Sequence, residues 1–273
     1  SVILDTITEE IRQNGHRSIR FSPDGFSIMI SDASYKPVLL KRYVFDREVP
    51  QNLYPSECER ILNELGLLDF SGESVLILDS HAMTLIPGQF FDPAHDRALL
   101  EHAASVGPSD LVQCRNLRER DLNIVFSLTG ELESLRHKLH EATKIIPTSE
   151  CLISLSDQVK ASDHQRGFLM AEVQHLTLNL LVIKEDQIQL LNRYDLSNPS
   201  DFVYHTLNTA RQLELDREIT PVYLSGIIHE EHELFGLLGK YIRRVMTTPY
   251  YLEELPRPMT LQYMILSEGN KCA

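Results

Sequence analysis

The sequence predicts an α/β protein built twice over, each unit running β-β-β-α-β-α. Three observations carry this. Leu39-Leu40-Lys41-Arg42-Tyr43 is echoed 151 residues later by Leu190-Leu191-Asn192-Arg193-Tyr194, a distance that speaks for a duplicated domain and against a short-period array. Both halves show three strand-length apolar runs followed by helix, strand and helix signals. The fourth-strand candidates, around Val75 and Val222, lie 147 residues apart, so the offset drifts by four residues, which one loop absorbs. The 273 residues suffice for two domains, expected at 1–162 and 163–273.

In the first unit, residues 18–21, 25–31 and 37–45 are strand candidates, with Asp24-Gly25 as the hairpin turn. Pro55 opens a helix carrying Cys58, Ile61, Leu62 and Leu65 on one face, and Gly66 closes it. Residues 74–79 form the fourth strand. Asp92-Pro93 starts a helix bearing Leu99, Leu100 and Ala103. Residues 109–160 then supply a strand (121–126), a helix (129–143, with Leu132, Leu135 and Leu139), a strand from Lys144 to Pro147 and a helix around Leu152 to Val159. These complete the first unit and carry the chain across.

The second unit opens with a three-strand meander, 168–174, 177–183 and 187–194, broken at His175 and at Lys184-Glu185-Asp186. Asn198-Pro199 opens a helix, since a first-turn proline loses no needed N–H; Phe202, Val203, Leu207, Ala210 and Leu213 lie along it. Residues 221–224 are the fourth strand, ended by Ser225-Gly226. A last helix is expected to carry Leu234, Leu237, Leu238, Tyr241, Ile242 and Val245 on one stripe, at helical spacing. Beyond it, Tyr250-Tyr251-Leu252 with Pro256 and Pro258 reads as an apolar, proline-punctuated segment that packs on its own unit.

Composition narrows the function. The chain is 42% apolar and 24% charged, the balance of a globular protein. A net charge of −13 argues against nucleic acid, which requires a basic face to displace counterions; Arg115, Arg118 and Arg120 are diluted by Glu119 and Asp121. The four cysteines, Cys58, Cys114, Cys151 and Cys272, form no C-x-x-C pair. No run is long and apolar enough for membrane insertion, and the expected compartment is the cytoplasm, with reduced thiols.

Several constellations invite chemistry. His229-Glu230-Glu231-His232-Glu233 spaces its histidines at i and i+3, where a zincin needs i and i+4; His137 and His140 share that spacing without a third ligand. The glutamates suit the N-terminus of the following helix electrostatically and would repel phosphate there, while Lys240, Arg243 and Arg244 lie toward its other end. Asp79-Ser80-His81 gathers the residue types of a catalytic triad, but adjacent residues rarely face one another and no G-x-S-x-G elbow exists. Asp79 ends a fourth strand, where α/β sheets place ligand-facing groups. No P-loop or dinucleotide fingerprint is present.

Two β-β-β-α-β-α units in one chain resemble the actin-like ATPase fold, the duplicated ribonuclease-H-like architecture of actin, heat-shock chaperones and sugar kinases. The chain is similar to a bacterial domain-of-unknown-function family with this fold, and in size and order it resembles pilus and secretion-system assembly ATPase-like proteins. The resemblance implies ATP with Mg²⁺, held by turns containing Asp and Gly after the first strand of each unit and by a Gly-Gly after a late strand of the second. At those positions stand Asp24-Gly25, Gln174-His175-Leu176 near Glu172, and Ser225-Gly226-Ile227. The second turn has neither Asp nor Gly, and Ile227 stands where a second glycine is expected.

The candidate cleft residues are therefore Asp24, Gly25, Asp79, Glu172 and Gly226, with no catalytic or metal residue assigned. The favoured expectation is a non-catalytic, degenerate member of the superfamily that needs no cofactor. It would act through a protein partner, a second copy of the chain included, as an assembly or regulatory scaffold. The alternative is an active ATPase or small-molecule kinase, with Asp24, Asp79 and Glu172 around Mg²⁺ and Gly226 beneath the base. A metal-dependent hydrolase is a third reading.

Overall fold

Strand β1 (Val2–Ile3) and a short helix α1 (Glu9–Asn14) precede the first long strands. Thr8 caps α1, its hydroxyl accepting from the Ile11 N–H, so one of the four N–H groups left open at a helix start is satisfied. Strands β2 (His16–Ser22), β3 (Gly25–Ser31) and β4 (Pro37–Val44) form an antiparallel meander. Every residue of β3 is buried, which explains its near-continuous apolar sequence: both faces of the sheet are covered. Helix α2 (Tyr54–Glu64), with Pro55 in its first turn, buries Cys58, Ile61 and Leu62. Strand β5 (Glu73–Leu78) then runs parallel to β2.

Strand β6 (Met83–Pro87), helix α3 (Asp96–Ala103) and strands β7 (Leu111–Leu117) and β8 (Leu122–Leu128) follow. The three strands make an antiparallel sheet of their own, in the order β6-β8-β7. Its small core is Ala82, Ile86, Leu100 and Val125. Helix α4 (Gly130–Leu139), strand β9 (Lys144–Pro147) and helix α5 (Thr148–Asp163) come next.

The second meander is β10 (Phe168–Val173), β11 (Thr177–Lys184) and β12 (Gln187–Asp195). It leads to α6 (Asp201–Gln212), β13 (Val222–Gly226), α7 (Glu233–Gly239), β14 (Val245–Thr247) and α8 (Arg257–Cys272). The computed structural model describes residues 2–3, 6–45, 49–163, 167–198 and 200–272. The chain packs as two units, Ser1–Glu150 with Gly269–Ala273, and Cys151–Glu268.

The sheet orders carry the duplication. The first sheet runs β1-β4-β3-β2-β5-β9 and the second β12-β11-β10-β13-β14. With β1 set aside, each reads third-second-first-fourth-fifth strand, with an antiparallel meander and parallel fourth and fifth strands. The Leu-Leu-x-Arg-Tyr echo occupies the third strand of both sheets.

Several expectations need correction. The Pro23-Asp24 pair forms the corner of the first hairpin, closed by Ser22 opposite Gly25; the expected Asp24-Gly25 turn is one residue late, because Gly25 already belongs to β3. The stripe expected to run as one helix to Val245 ends at Gly239, and Val245 pairs with Val222; apolar residues at helical spacing also serve a sheet edge. Glu230 and Glu231 precede α7, which His232 caps with Nδ1 accepting from the Leu234 N–H, and Lys240, Arg243 and Arg244 lie beyond its end. Helix α4 stops at Leu139, short of residue 143. The sequence pattern does not predict strands β1, β6, β7 and β14 or helices α1 and α8. Pro199 lies outside the described residues, and the carboxylate of Asp201 orders the approach to α6 by accepting from the Ser197 and Asn198 N–H groups.

Candidate functional site

In the parallel pairs of each unit, Phe21 stands opposite Leu78 and Val173 opposite Gly226. The antiparallel pairs set Phe21 opposite Phe26 and Val173 opposite Leu178. The two hairpins therefore superpose with an offset of 152 residues, one more than the echo suggests. Gln174 N–H donates to Thr177 O at 2.8 Å, closing a second turn whose corner is His175-Leu176. In this register Asp24 corresponds to Leu176, Gly25 to Thr177, Arg20 to Glu172, and Asp79 to Ile227.

Asp24 sits at the tip of the first hairpin, its carboxylate paired with the Arg42 guanidinium of β4. Gly25 follows with φ +140°, and a Cβ there would overlap the Tyr43 carbonyl. The third strand crosses so close to this turn that only glycine fits.

Asp79 is placed by its own N–H, which donates to Phe21 O at 3.1 Å. Its side chain turns into the first sheet. Arg20 Nη2 lies 2.9 Å from each carboxylate oxygen, and the Thr148 hydroxyl donates to one of them. The pair is sealed, with side chains 5% and 0% exposed. The neighbouring Ser80 and His81 make no triad with it: Ser80 Oγ lies 2.8 Å from Ala82 O and 2.9 Å from Ser127 O, and His81 is exposed.

In the second unit Glu172 is wholly buried. One carboxylate oxygen accepts from Gln174 Nε2 and the other from Asn179 Nδ2 at 2.9 Å. Amide donors thus do for Glu172 what Asp79 does for Arg20. Gly226 has φ +83°, and a Cβ there would overlap the Val173 backbone of β10. Asp79, Glu172 and Gly226 are thus committed to packing at the ends of first and fourth strands, and Asp24 and Gly25 to the first hairpin.

The sequence pattern assigns none of Arg20, Arg42, Thr148, Gln174 and Asn179 as a partner of these acids. Arg20 shares a mixed strand with Arg17 and gives no signal, but Glu172 is a lone charge within an apolar strand. A charge there survives burial only if it is paired or hydrogen-bonded.

The other constellations dissolve into structure. Among the described residues no group of three or more His, Cys, Asp or Glu side chains is arranged to hold a metal ion. Glu230 accepts from the Thr247 hydroxyl. Arg115 makes a bidentate pair with Glu150, both bonds at 2.8 Å, and also donates to Cys272 O at 3.2 Å. Burial pushes the Cys58 thiol far above its ordinary value, leaving an inert core sulfhydryl. Tyr250 is buried and its hydroxyl lies 2.8 Å from Ser267 Oγ. Surface hollows of about 460 Å³ beside α6 and about 230 Å³ beside Ser71 and Lys144 are lined by none of the five candidate residues. Among the described residues no helix is long and apolar enough to cross a membrane.

A family model described as "Protein of unknown function (DUF3822)" matches residues 5–245. No curated protein matches. Among solved structures the chain is similar to a Bacteroides thetaiotaomicron protein with actin-like ATPase fold and unknown function. The TM-score is 0.76 at 18% identity, over 95% of this chain and 99% of that one. It is also similar to a chain of the PilM-PilN type IV pilus biogenesis complex, with TM-score 0.61 at 13% identity over 93% and 97%. The ethanolamine utilization protein EutJ from Carboxydothermus hydrogenoformans follows, with TM-score 0.53 at 8% identity over 97% and 94%. At these identities the likeness concerns the fold, and the fold is the actin-like ATPase fold.

Proposed function

This chain belongs to the DUF3822 family of proteins of unknown function, and we propose that it is a non-catalytic actin-fold protein acting through protein contacts, as an assembly or regulatory scaffold. One observation carries the reading: the acids that ATP with Mg²⁺ would need are already engaged by the chain's own side chains. Mg²⁺ requires carboxylate oxygens free to join a tight octahedral shell. Both oxygens of Asp79 accept from Arg20, both oxygens of Glu172 accept from amides, and Asp24 is paired with Arg42. Drawing Asp79 to a metal would take both carboxylate oxygens from the buried Arg20 guanidinium, at a cost of about 3–5 kcal/mol. The residues present do not fit the metal.

The second hairpin supports the same reading, since Leu176 and Thr177 stand where the first unit has Asp24 and Gly25. So does the position after β13, where Ile227 puts a β-branched side chain beside Gly226. The pilus biogenesis structure was solved as a complex of two proteins, which accords with a fold that works through contacts.

Calorimetric titration of the full chain with ATP and Mg²⁺ tests this. No heat of binding is expected up to millimolar nucleotide, with no phosphate release on prolonged incubation. Micromolar binding, or turnover that Asp79→Asn abolishes, would establish the active-ATPase alternative instead.

A further inference from the structure

A hollow of about 460 Å³ opens where helix α6 ends, and sites for small molecules run from roughly 300 to 1,000 Å³. Its floor is apolar: Ala210 is buried, and Leu207 and Leu215 are half-buried. One wall is the ring of Tyr204, 66% exposed. Arg211, Glu214 and Arg217, all exposed, complete the rim.

The chain's own hydrogen bonds hold this shape. The Leu215 N–H donates to Ala210 O at 2.8 Å and the Glu214 N–H to Arg211 O at 3.2 Å. That paired closure ends a helix at a residue in the left-handed conformation, here Glu214 with φ +52°. The Leu213 N–H donates to Thr209 O at 3.0 Å, so the carbonyls of Thr209, Ala210 and Arg211, at the negative end of α6, already hold donors. Arg217 is fixed through its backbone, its carbonyl accepting from the Arg243 N–H at 3.0 Å.

The two arginines of the rim lack a counter-ion. Arg20, Arg42, Arg97, Arg115 and Arg136 each pair with an acid. Among the described residues Arg211 and Arg217 pair with none, although Glu214 lines the same hollow. Arg211 Nη2 lies 2.9 Å from Asn208 Oδ1, one turn back along α6, which steadies its guanidinium and leaves most of its N–H groups open. Two cations and one acid give the rim a local charge of +1 on a chain whose net charge is −13.

We propose that this hollow binds a hydrophobic monocarboxylate. Its carboxylate accepts from Arg211 and Arg217, whose planar forks match that group. Its aromatic or aliphatic body lies on Leu207 and Leu215 against the Tyr204 ring. One negative charge balances the rim. A phosphate monoester carries about −1.5 to −2 at neutral pH and meets repulsion from Glu214. Glycine is the usual residue at a left-handed helix end, and strain retained at such a position attends function; here the retained glutamate holds the site to a single charge. The proposal does not depend on whether ATP binds.

Titration of the full chain with 4-phenylbutyrate, followed by the NMR shifts of the backbone amides of 204–217, is the test. Binding is expected with a dissociation constant of roughly 0.1–1 mM. The neutral 4-phenylbutyramide and the dianionic 3-phenylpropyl phosphate bind more weakly. Arg211→Gln and Arg217→Gln each weaken the carboxylate by about 3- to 10-fold, and Glu214→Gln moves the preference toward the phosphate by a similar factor. The peptide Gly-Ser-Gly-Phe, with its end free or amidated, identifies the source: tighter binding of the free-ended peptide than of 4-phenylbutyrate assigns the carboxylate to a chain terminus, and the reverse to a small acid. No shifts at 204–217, equal binding of the amide, or indifference to both arginine substitutions would overturn the proposal.

Discussion

Arg20 of β2 and Asp79, one residue past the parallel strand β5, neutralise each other inside the first unit, and the residue equivalent to Arg20 in the second unit is an acid, Glu172. The two copies have kept a buried charge at one strand position and reversed its sign. In the first copy a counter-ion resolves it, in the second a pair of side-chain amides. Neither solution leaves a carboxylate free.

The first prediction concerns that pair. Asp79→Asn takes the counter-charge from the buried Arg20 guanidinium and lowers stability by about 3 kcal/mol, whereas the double change Arg20→Met with Asp79→Leu removes both charges and recovers most of the loss. Urea denaturation of the two variants measures it. Equal loss in both would mean that packing, and not charge pairing, accounts for the effect.

Two glycines should respond in opposite directions. Gly226→Ala meets both a positive φ and the Val173 backbone, and stability falls by well over about 1 kcal/mol. Gly236 lies exposed within α7 with nothing within 4 Å of a new Cβ, so Gly236→Ala gains about 0.5–1 kcal/mol. Thermal melts of the two variants show the opposite signs.

Acid should weaken α4. Glu133 Oε1 accepts from Arg136 at 2.9 and 2.6 Å, and those bonds hold its carboxyl below the ordinary value of 4.5 despite partial burial. A carboxyl depressed in the folded state contributes stability above its unfolded value and loses it as pH falls through the folded one. Glu133→Gln therefore destabilises at pH 7, by less than about 1 kcal/mol for this partly exposed pair. The difference from wild type closes as the pH drops below 4.5. Chemical denaturation of both proteins at neutral and acid pH reads it directly.

Much of the fold was legible because the strands that form the two meanders are long, apolar and bounded by turn residues. β3, β9 and β11 fall almost where periodicity puts them. Short or mixed strands were not legible. Met83–Pro87 and Val245–Thr247 have too few residues to display a period, and Leu111–Leu117 interleaves Gln113, Arg115 and Asn116 with its apolar positions. Helix α8 hid behind Pro256 and Pro258, which read as breaks although Pro258 lies in its first turn, where no N–H is needed. At the candidate site the residue types were visible and their partners were not, since Arg20 and Asp79 lie 59 residues apart.

By itself the sequence determined the duplication, the β-β-β-α-β-α order and the lack of a second Asp-Gly turn, because these follow from local pattern and from comparing one half with the other. Only the tertiary structure decided what the acids do. A carboxylate's role depends on the groups that burial brings to it, and for Asp79 that is settled by contacts between residues far apart in the chain.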